Sequence, residues 1–351
     1  MQKCDHGGDI YRNDIRLDFS VSLNPLGMPA SAAAAVRRAA DLSGVYPDPE
    51  CSELRQILSD KEKVPPDWIV FGNGAAELIY ALAAAVRPRR ALLMAPGFSE
   101  YEKALSANGC LPDFYVCSRE EGYAADEDLI SWIGPETDLI FLCNPNNPTG
   151  VPVSGRLLEQ AASACRESSA LLIVDECFLE LCADPSVKSM KGFLPDNRNI
   201  VVLRAFTKQY AMAGLRLGYL LSADDALRRK VRSCLQPWNV SVPAQMAGAA
   251  ALCEEGYMEK TLCCIAEGKE YLLTELEALG FACIRGAANY IFFDGPEGLY
   301  EKCLRRGILI RDCSNFRGLG EGSYRVCVRM PEENAELIRV MKDCLRGNEN
   351  G

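Results

Sequence analysis

"RAFTKQYAMAGLRLGYL", residues 204–220, sets one lysine between a β-branched apolar run and a glycine-punctuated one, with an arginine eight positions further on. Lys208 is flanked by hydroxyl and apolar side chains rather than by other charges. It is therefore a poor fit to a solvated basic face and a candidate nucleophile, although an ordinary surface lysine is the alternative. Arg216 is by the same reading either an anion ligand or half of a structural ion pair.

Upstream of this stretch, β-rich runs alternate with helical ones. "WIVFG" (68–72) precedes "AAELIYALAAAV" (75–86), "ALLMAP" (91–96) precedes "SEYEKALSANG" (99–109), and "DLIFLCNP" (138–145) precedes "RLLEQAASACRE" (156–167). "ALLIVDE" (170–176) and "NIVVLRAF" (199–206) follow. This order predicts βαβ units and an α/β fold with a mostly parallel sheet between helices, its ligands held at the carboxyl ends of the strands. After about residue 240 a long helical region leads into "ANYIFF", "GILIRDC" and "YRVCVRM", which reads as a smaller α+β domain. The expected organisation is an N-terminal arm over 1–40 packing with the small domain, a large domain over 41–240 and a small domain over 241–351.

Composition narrows the function classes. The 351 residues are 48% hydrophobic and 25% charged, as in a globular protein of one or two domains. A net charge of -10 with no basic run argues against nucleic-acid binding. The longest apolar run, "LIYALAAAV" (78–86), is too short to span a bilayer, and the N-terminus lacks the apolar stretch of a secretory leader. The 17 cysteines are odd in number, contain no Cys-x-x-Cys and often lie inside apolar runs, which predicts thiols in a reducing, cytoplasmic compartment. A single histidine, His6, argues against a metal site built on imidazoles.

Four stretches fall at strand ends: "GNGAAE" (72–77), "NPNNPTG" (144–150), "VDE" (174–176) and "TKQYAMAGLRLG" (207–218). The first opens a helix whose N–H groups suit a phosphate, but it lacks the third glycine of a dinucleotide fingerprint. Singly, the four read as a Gly-rich turn, a tight strand exit, a helix N-cap and a surface lysine. Together they supply what pyridoxal phosphate requires: a lysine for a Schiff base, a carboxylate for the pyridine nitrogen, a polar donor for the ring oxygen and a phosphate cradle.

In that order of residues the chain resembles the class I/II aminotransferases, a group of the fold-type I pyridoxal-phosphate enzymes. The resemblance implies that Lys208 carries the cofactor, Asp175 pairs with the ring nitrogen, Asn147 donates to the ring oxygen and Phe98, in "PGFSEY", stacks on the ring. It makes Gly74, Ala75, Thr207 and Arg216 the phosphate ligands. Tyr46, in "VYPDPECSELRQIL", would reach the cofactor phosphate of a neighbouring subunit in a homodimer with shared sites. Two positions depart from the group's usual pattern: Phe178 stands where a tyrosine often bonds the ring oxygen, and Ala205 where a hydroxyl often meets the phosphate.

The ends of the chain point to one branch. "HGGDIY" (6–11), "LDFSVSLNPLGMP" (17–29), "APGFSEYEKAL" (95–105), "ILIRDCSNFRGL" (308–319) and "YRVCVR" (324–329) are similar to the threonine-phosphate decarboxylases of cobalamin biosynthesis. That resemblance implies a small phosphorylated amino acid as substrate and decarboxylation as the reaction. Arg325 would hold the carboxylate, and Arg311, Asn24 and His6 would help orient the phosphate or carboxylate. The alternatives are histidinol-phosphate transamination and decarboxylation of serine phosphate.

Overall fold

The computed structural model describes residues 6–346. An arm strand β1 (Leu17–Asp18) and helices α1 (Ala30–Ala39) and α2 (Ser52–Glu62) lead into β2 (Ile69–Asn73) and α3 (Gly74–Val86). Next come β3 (Ala91–Ala95), α4 (Ser99–Ala107), β4 (Asp113–Val116), the one-turn α5 (Asp128–Ser131), β5 (Leu139–Cys143), α6 (Gly155–Ser168) and β6 (Leu171–Asp175). β7 (Ile200–Ala205), the one-turn α7 (Phe206–Gln209), β8 (Leu217–Leu221) and α8 (Asp225–Ser233) complete this half.

Its seven strands lie in the order β2-β8-β7-β6-β5-β3-β4. All neighbours from β7 to β4 are parallel, and β8 runs antiparallel to both β7 and β2. Strands β3, β5, β7 and β8 are buried at every position, because helices cover both faces of the sheet. Pairing of Cys143 with Asp175 and of Asp175 with Leu203 brings the carboxyl ends of β5, β6 and β7 level. Side chains just past those ends therefore converge.

The rest of the chain forms α9 (Val242–Leu252), α10 (Tyr257–Ala278), β9 (Ala282–Ile284), β10 (Tyr290–Asp294), α11 (Leu299–Leu304), β11 (Ile308–Leu309), β12 (Arg311–Asp312), β13 (Ser323–Cys327) and α12 (Pro331–Arg346). Four of these strands make an antiparallel sheet in the order β12-β13-β10-β9, while β1 of the arm pairs in parallel with β11. Leu272, Leu276, Phe293, Val326, Leu337 and Met341 pack with Phe19 of the arm into one core. α9, although C-terminal to residue 240, shares a different core with α2, through Ala244, Ala247, Leu54 and Leu58. No described helix is long and apolar enough to cross a membrane.

Candidate active site

A cleft of about 440 Å³ opens where the ends of β5, β6 and β7 face the second sheet. Asp175, the last residue of β6, is buried at its floor. Its Oδ2 accepts a hydrogen bond from the Tyr101 hydroxyl at 2.6 Å and its Oδ1 one from the Cys177 amide at 2.9 Å, so the carboxylate is fixed in orientation. Tyr101 is itself held by stacking on Phe141, ring centroids 4.6 Å apart.

Lys208 stands on α7, directly after β7, and its Nζ lies 5.7 Å from the centre of the Phe178 ring. Desolvation, and after it the nearby Arg325 guanidinium, push the Lys208 pKa down to about 8. Burial thus makes the amine easier to deprotonate than a free lysine, which favours a nucleophilic role. Phe178, at the position where the group often has a tyrosine, packs edge-on against Tyr290 and leaves the lysine an apolar wall.

On the far side of Lys208 the start of α3 meets β8. Asn73 places no side chain over the first turn of α3. Gly74, at φ +77°, lies so close to Arg216 that a Cβ there would come within 2.5 Å of its Nη2. A Cβ on Gly218 of β8 would come within 2.5 Å of the Ala75 nitrogen. Only glycine permits both approaches. The result is a cradle in which the N-terminal end of α3, the Arg216 guanidinium and the Thr207 hydroxyl border one corner of the cleft, a combination suited to a phosphate dianion.

The opposite wall comes from the second sheet. Arg311 of β12 and Arg325 of β13 are direct cross-strand partners, each 7% exposed, and both line the cleft. Arg325 donates to Asn147 Oδ1 and, at 3.0 Å, to the Ser20 carbonyl; its guanidinium carbon lies 4.9 Å from the centre of the Tyr290 ring. Its Nε is buried without a hydrogen-bond partner among the described residues. Arg311 donates to Asn315 Oδ1 at 2.8 Å and lies 5.1 Å from the centre of the Phe316 ring. At the mouth, His6 Nε2 is 3.0 Å from Glu100 Oε1, and the imidazole is tilted over Phe98 at 6.1 Å.

The structure thus gathers Phe98, Asn147, Asp175, Thr207, Lys208, Arg216, Arg311, Arg325, His6 and Ala75 around one space, with Gly74 packed behind Arg216. Asn24 is a correction. Its side chain is buried away from the cleft, donating to the Gln209 carbonyl and to Thr261 Oγ1, both at 2.8 Å, and accepting from the Leu26 amide. Those bonds occupy both of its amide hydrogens, and the side chain does not line the cleft. Its amide instead donates to the Lys208 carbonyl and so anchors α7. Tyr46 does not reach this cleft; it is 76% exposed and stacked on Trp238, ring centroids 4.3 Å apart. Tyr101, unremarked in sequence, contacts Asp175 directly. The signal available was its place one helical turn after Phe98, which puts both rings on one face of α4.

Residues 15–340 match the family Aminotransferase class I and II. The chain belongs to that family. Among relatives of this class I/II chain, the threonine-phosphate decarboxylase of Salmonella typhimurium is 35% identical, the alignment covering 97% of each protein. A histidinol-phosphate aminotransferase of Archaeoglobus fulgidus is 34% identical over 92% of this chain and 97% of its own. The solved histidinol-phosphate aminotransferase of Clostridium acetobutylicum superposes with a TM-score of 0.86 at 29% identity, covering 93% of this chain and 98% of that one. The fold is that of the fold-type I enzymes, and the class I/II cofactor is pyridoxal phosphate. The residues present fit it: an amine with a lowered pKa, a buried carboxylate with a fixed orientation, and an arginine seated against a helix start whose glycine leaves it room.

Proposed function

We propose that this class I/II enzyme decarboxylates L-threonine O-3-phosphate to carbon dioxide and (R)-1-amino-2-propanol O-2-phosphate, as a step of cobalamin biosynthesis. The observation that carries this reading is the buried cross-strand pair Arg311 and Arg325. Two buried cations on one wall of the cleft suit a substrate with two anionic groups, a carboxylate and a phosphate. The relative of 35% identity that bears the decarboxylase name supports the same choice.

In this reading Lys208 holds the cofactor through its amine, Asp175 faces its ring nitrogen, Asn147 its ring oxygen and Phe98 its ring face. Ala75, Thr207 and Arg216 bind its phosphate, with Gly74 leaving room for the arginine. Bound pyridoxal phosphate supplies an electron sink for the bond that breaks at the substrate's α-carbon. Which bond breaks is decided by how the chain holds the substrate. Arg325 would grip the carboxylate and Arg311, with His6 at the mouth, the phosphate, which would fix the orientation in which the substrate is held. Once the substrate's amine has displaced it, Lys208 Nζ would be free to move a proton at the substrate's α-carbon.

Two copies are proposed to share their sites, with Tyr46 of each reaching the other's phosphate cradle. Its exposure and its distance from its own chain's cleft support this. The described cysteines are all free, which supports a cytoplasmic location. The test is direct: the loaded enzyme is given threonine phosphate, and carbon dioxide and aminopropanol phosphate are measured. Serine phosphate lacks one methyl, worth about 1–3 kcal/mol in an apolar pocket, so its ethanolamine phosphate product is assayed beside it.

A further inference from the structure

The connection from β12 to β13, residues 313–322, starts immediately after the strand that carries Arg311. Two turns compact it, with the Phe316 amide bonded to the Cys313 carbonyl and the Leu319 amide to the Phe316 carbonyl, both at 3.0 Å. Asn315 and Phe316 of this loop are the contacts already described for the Arg311 guanidinium. Any shift of the loop therefore moves the groups against which Arg311 rests.

The next residue ties the loop to the other half of the molecule. Arg317 donates from Nη2 to Glu102 Oε1 of α4 at 2.7 Å, and its guanidinium carbon lies 3.9 Å from the centre of the Phe114 ring on β4. A cavity of about 340 Å³ separates the loop from α4 and β3, lined among others by Met94, Phe98, Tyr101, Phe114, Phe316 and Arg317. Cys313, Phe316 and Leu319 seat the loop on the main core at one side, and at the cavity side Arg317 ties it to two elements of the main sheet's edge.

We propose that Arg317 is a positioning residue: by clamping the β12–β13 loop to Glu102 and Phe114 it keeps Asn315 and Phe316 in place and the Arg311 guanidinium aimed into the cleft. The inference rests on the reading that Arg311 binds an anionic group of the substrate. Its energetic basis is modest, since a half-exposed ion pair and a cation over an aromatic face each contribute little singly. A second ion pair, Arg119 with Asp294, joins the segment after β4 to the end of β10 with neither partner in the loop, and serves as the control.

The experiment compares the pyridoxal-phosphate-loaded wild type with Arg317→Ala, Arg317→Lys and Arg119→Ala, measuring kcat and KM for threonine phosphate by carbon dioxide release, together with Tm. Arg317→Ala should raise KM about threefold to tenfold with kcat within about twofold, the range expected from one exposed ion pair plus one cation–aromatic contact. Arg317→Lys, which keeps the charge, should bring KM back to within about twofold of wild type. An unchanged KM in Arg317→Ala overturns the proposal. So does an equal rise in Arg119→Ala, because that result reports a general loosening of the molecule. If the wild type releases no carbon dioxide, the substrate reading fails separately, and the same comparison is run with histidinol phosphate as amino donor under the same criteria.

Discussion

Arg311 and Arg325 face each other across neighbouring antiparallel strands, both buried and both lining one cleft. Two buried guanidinium groups so placed put two cations on one wall of the cleft, which suits a partner that carries two anionic groups.

On the proposed reading, removing Arg325 leaves a bound carboxylate buried and unpaired. Arg325→Ala is expected to lower kcat/KM by roughly 2–5 kcal/mol, or about thirtyfold to several thousandfold. Steady-state kinetics checks it, and a loss below about threefold would make Arg325 a structural residue.

Lys208 is expected to be covalent in role, so Lys208→Ala should abolish turnover while the circular dichroism of the fold is kept. The sign of its pH effect follows from a folded pKa of about 8, below that of a free lysine. Folding is opposed by the buried ammonium below pH 8, and that cost disappears as pH rises towards the unfolded value. Lys208→Met should therefore raise the Tm of the cofactor-free protein at pH 7, by an amount that shrinks above pH 8. A gain that grows with pH would contradict the account.

Tyr101→Phe keeps the stack on Phe141 and deletes one of the two hydrogen bonds to Asp175 described above. A hydrogen bond to a charged group contributes about 1.5–3 kcal/mol, so urea unfolding of the cofactor-free variant should show a loss of that order. A loss below about 0.5 kcal/mol would mean that the Tyr101 hydroxyl does not hold the carboxylate.

Mixing inactive Tyr46 and Lys208 variants should restore activity if sites are shared. With random assortment half the dimers are mixed and each has one intact site, so about a quarter of the wild-type activity is expected. Heterodimers without recovered activity would refute the shared site.

The residues that sequence reveals best are those fixed by local rules. Asp175, Asn147 and Lys208 stand at or just past the ends of β6, β5 and β7, and runs of buried β-branched residues mark such ends without any knowledge of tertiary contacts. What stayed hidden depends on long-range pairing. Asn24 looked like a substrate ligand, but its partners Gln209 and Thr261 lie 185 and 237 residues away and occupy both of its amide hydrogens. Tyr101 sat inside a quoted motif, yet the carboxylate it serves is 74 residues on. The antiparallel direction of β8 was equally silent, since a fully buried strand reads alike in either direction. Arg311 does begin β12, but Arg325 stands at the middle of β13 rather than at a strand end, and their facing register is a property of the folded sheet.

The measurement closest to the central claim follows carbon dioxide and the cofactor's visible absorption together when the loaded enzyme meets threonine phosphate. The account predicts stoichiometric carbon dioxide and aminopropanol phosphate over many turnovers, with the cofactor remaining in its aldehyde oxidation state. Conversion of the cofactor to its amine form by histidinol phosphate, reversed by imidazole acetol phosphate and without release of carbon dioxide, would contradict it.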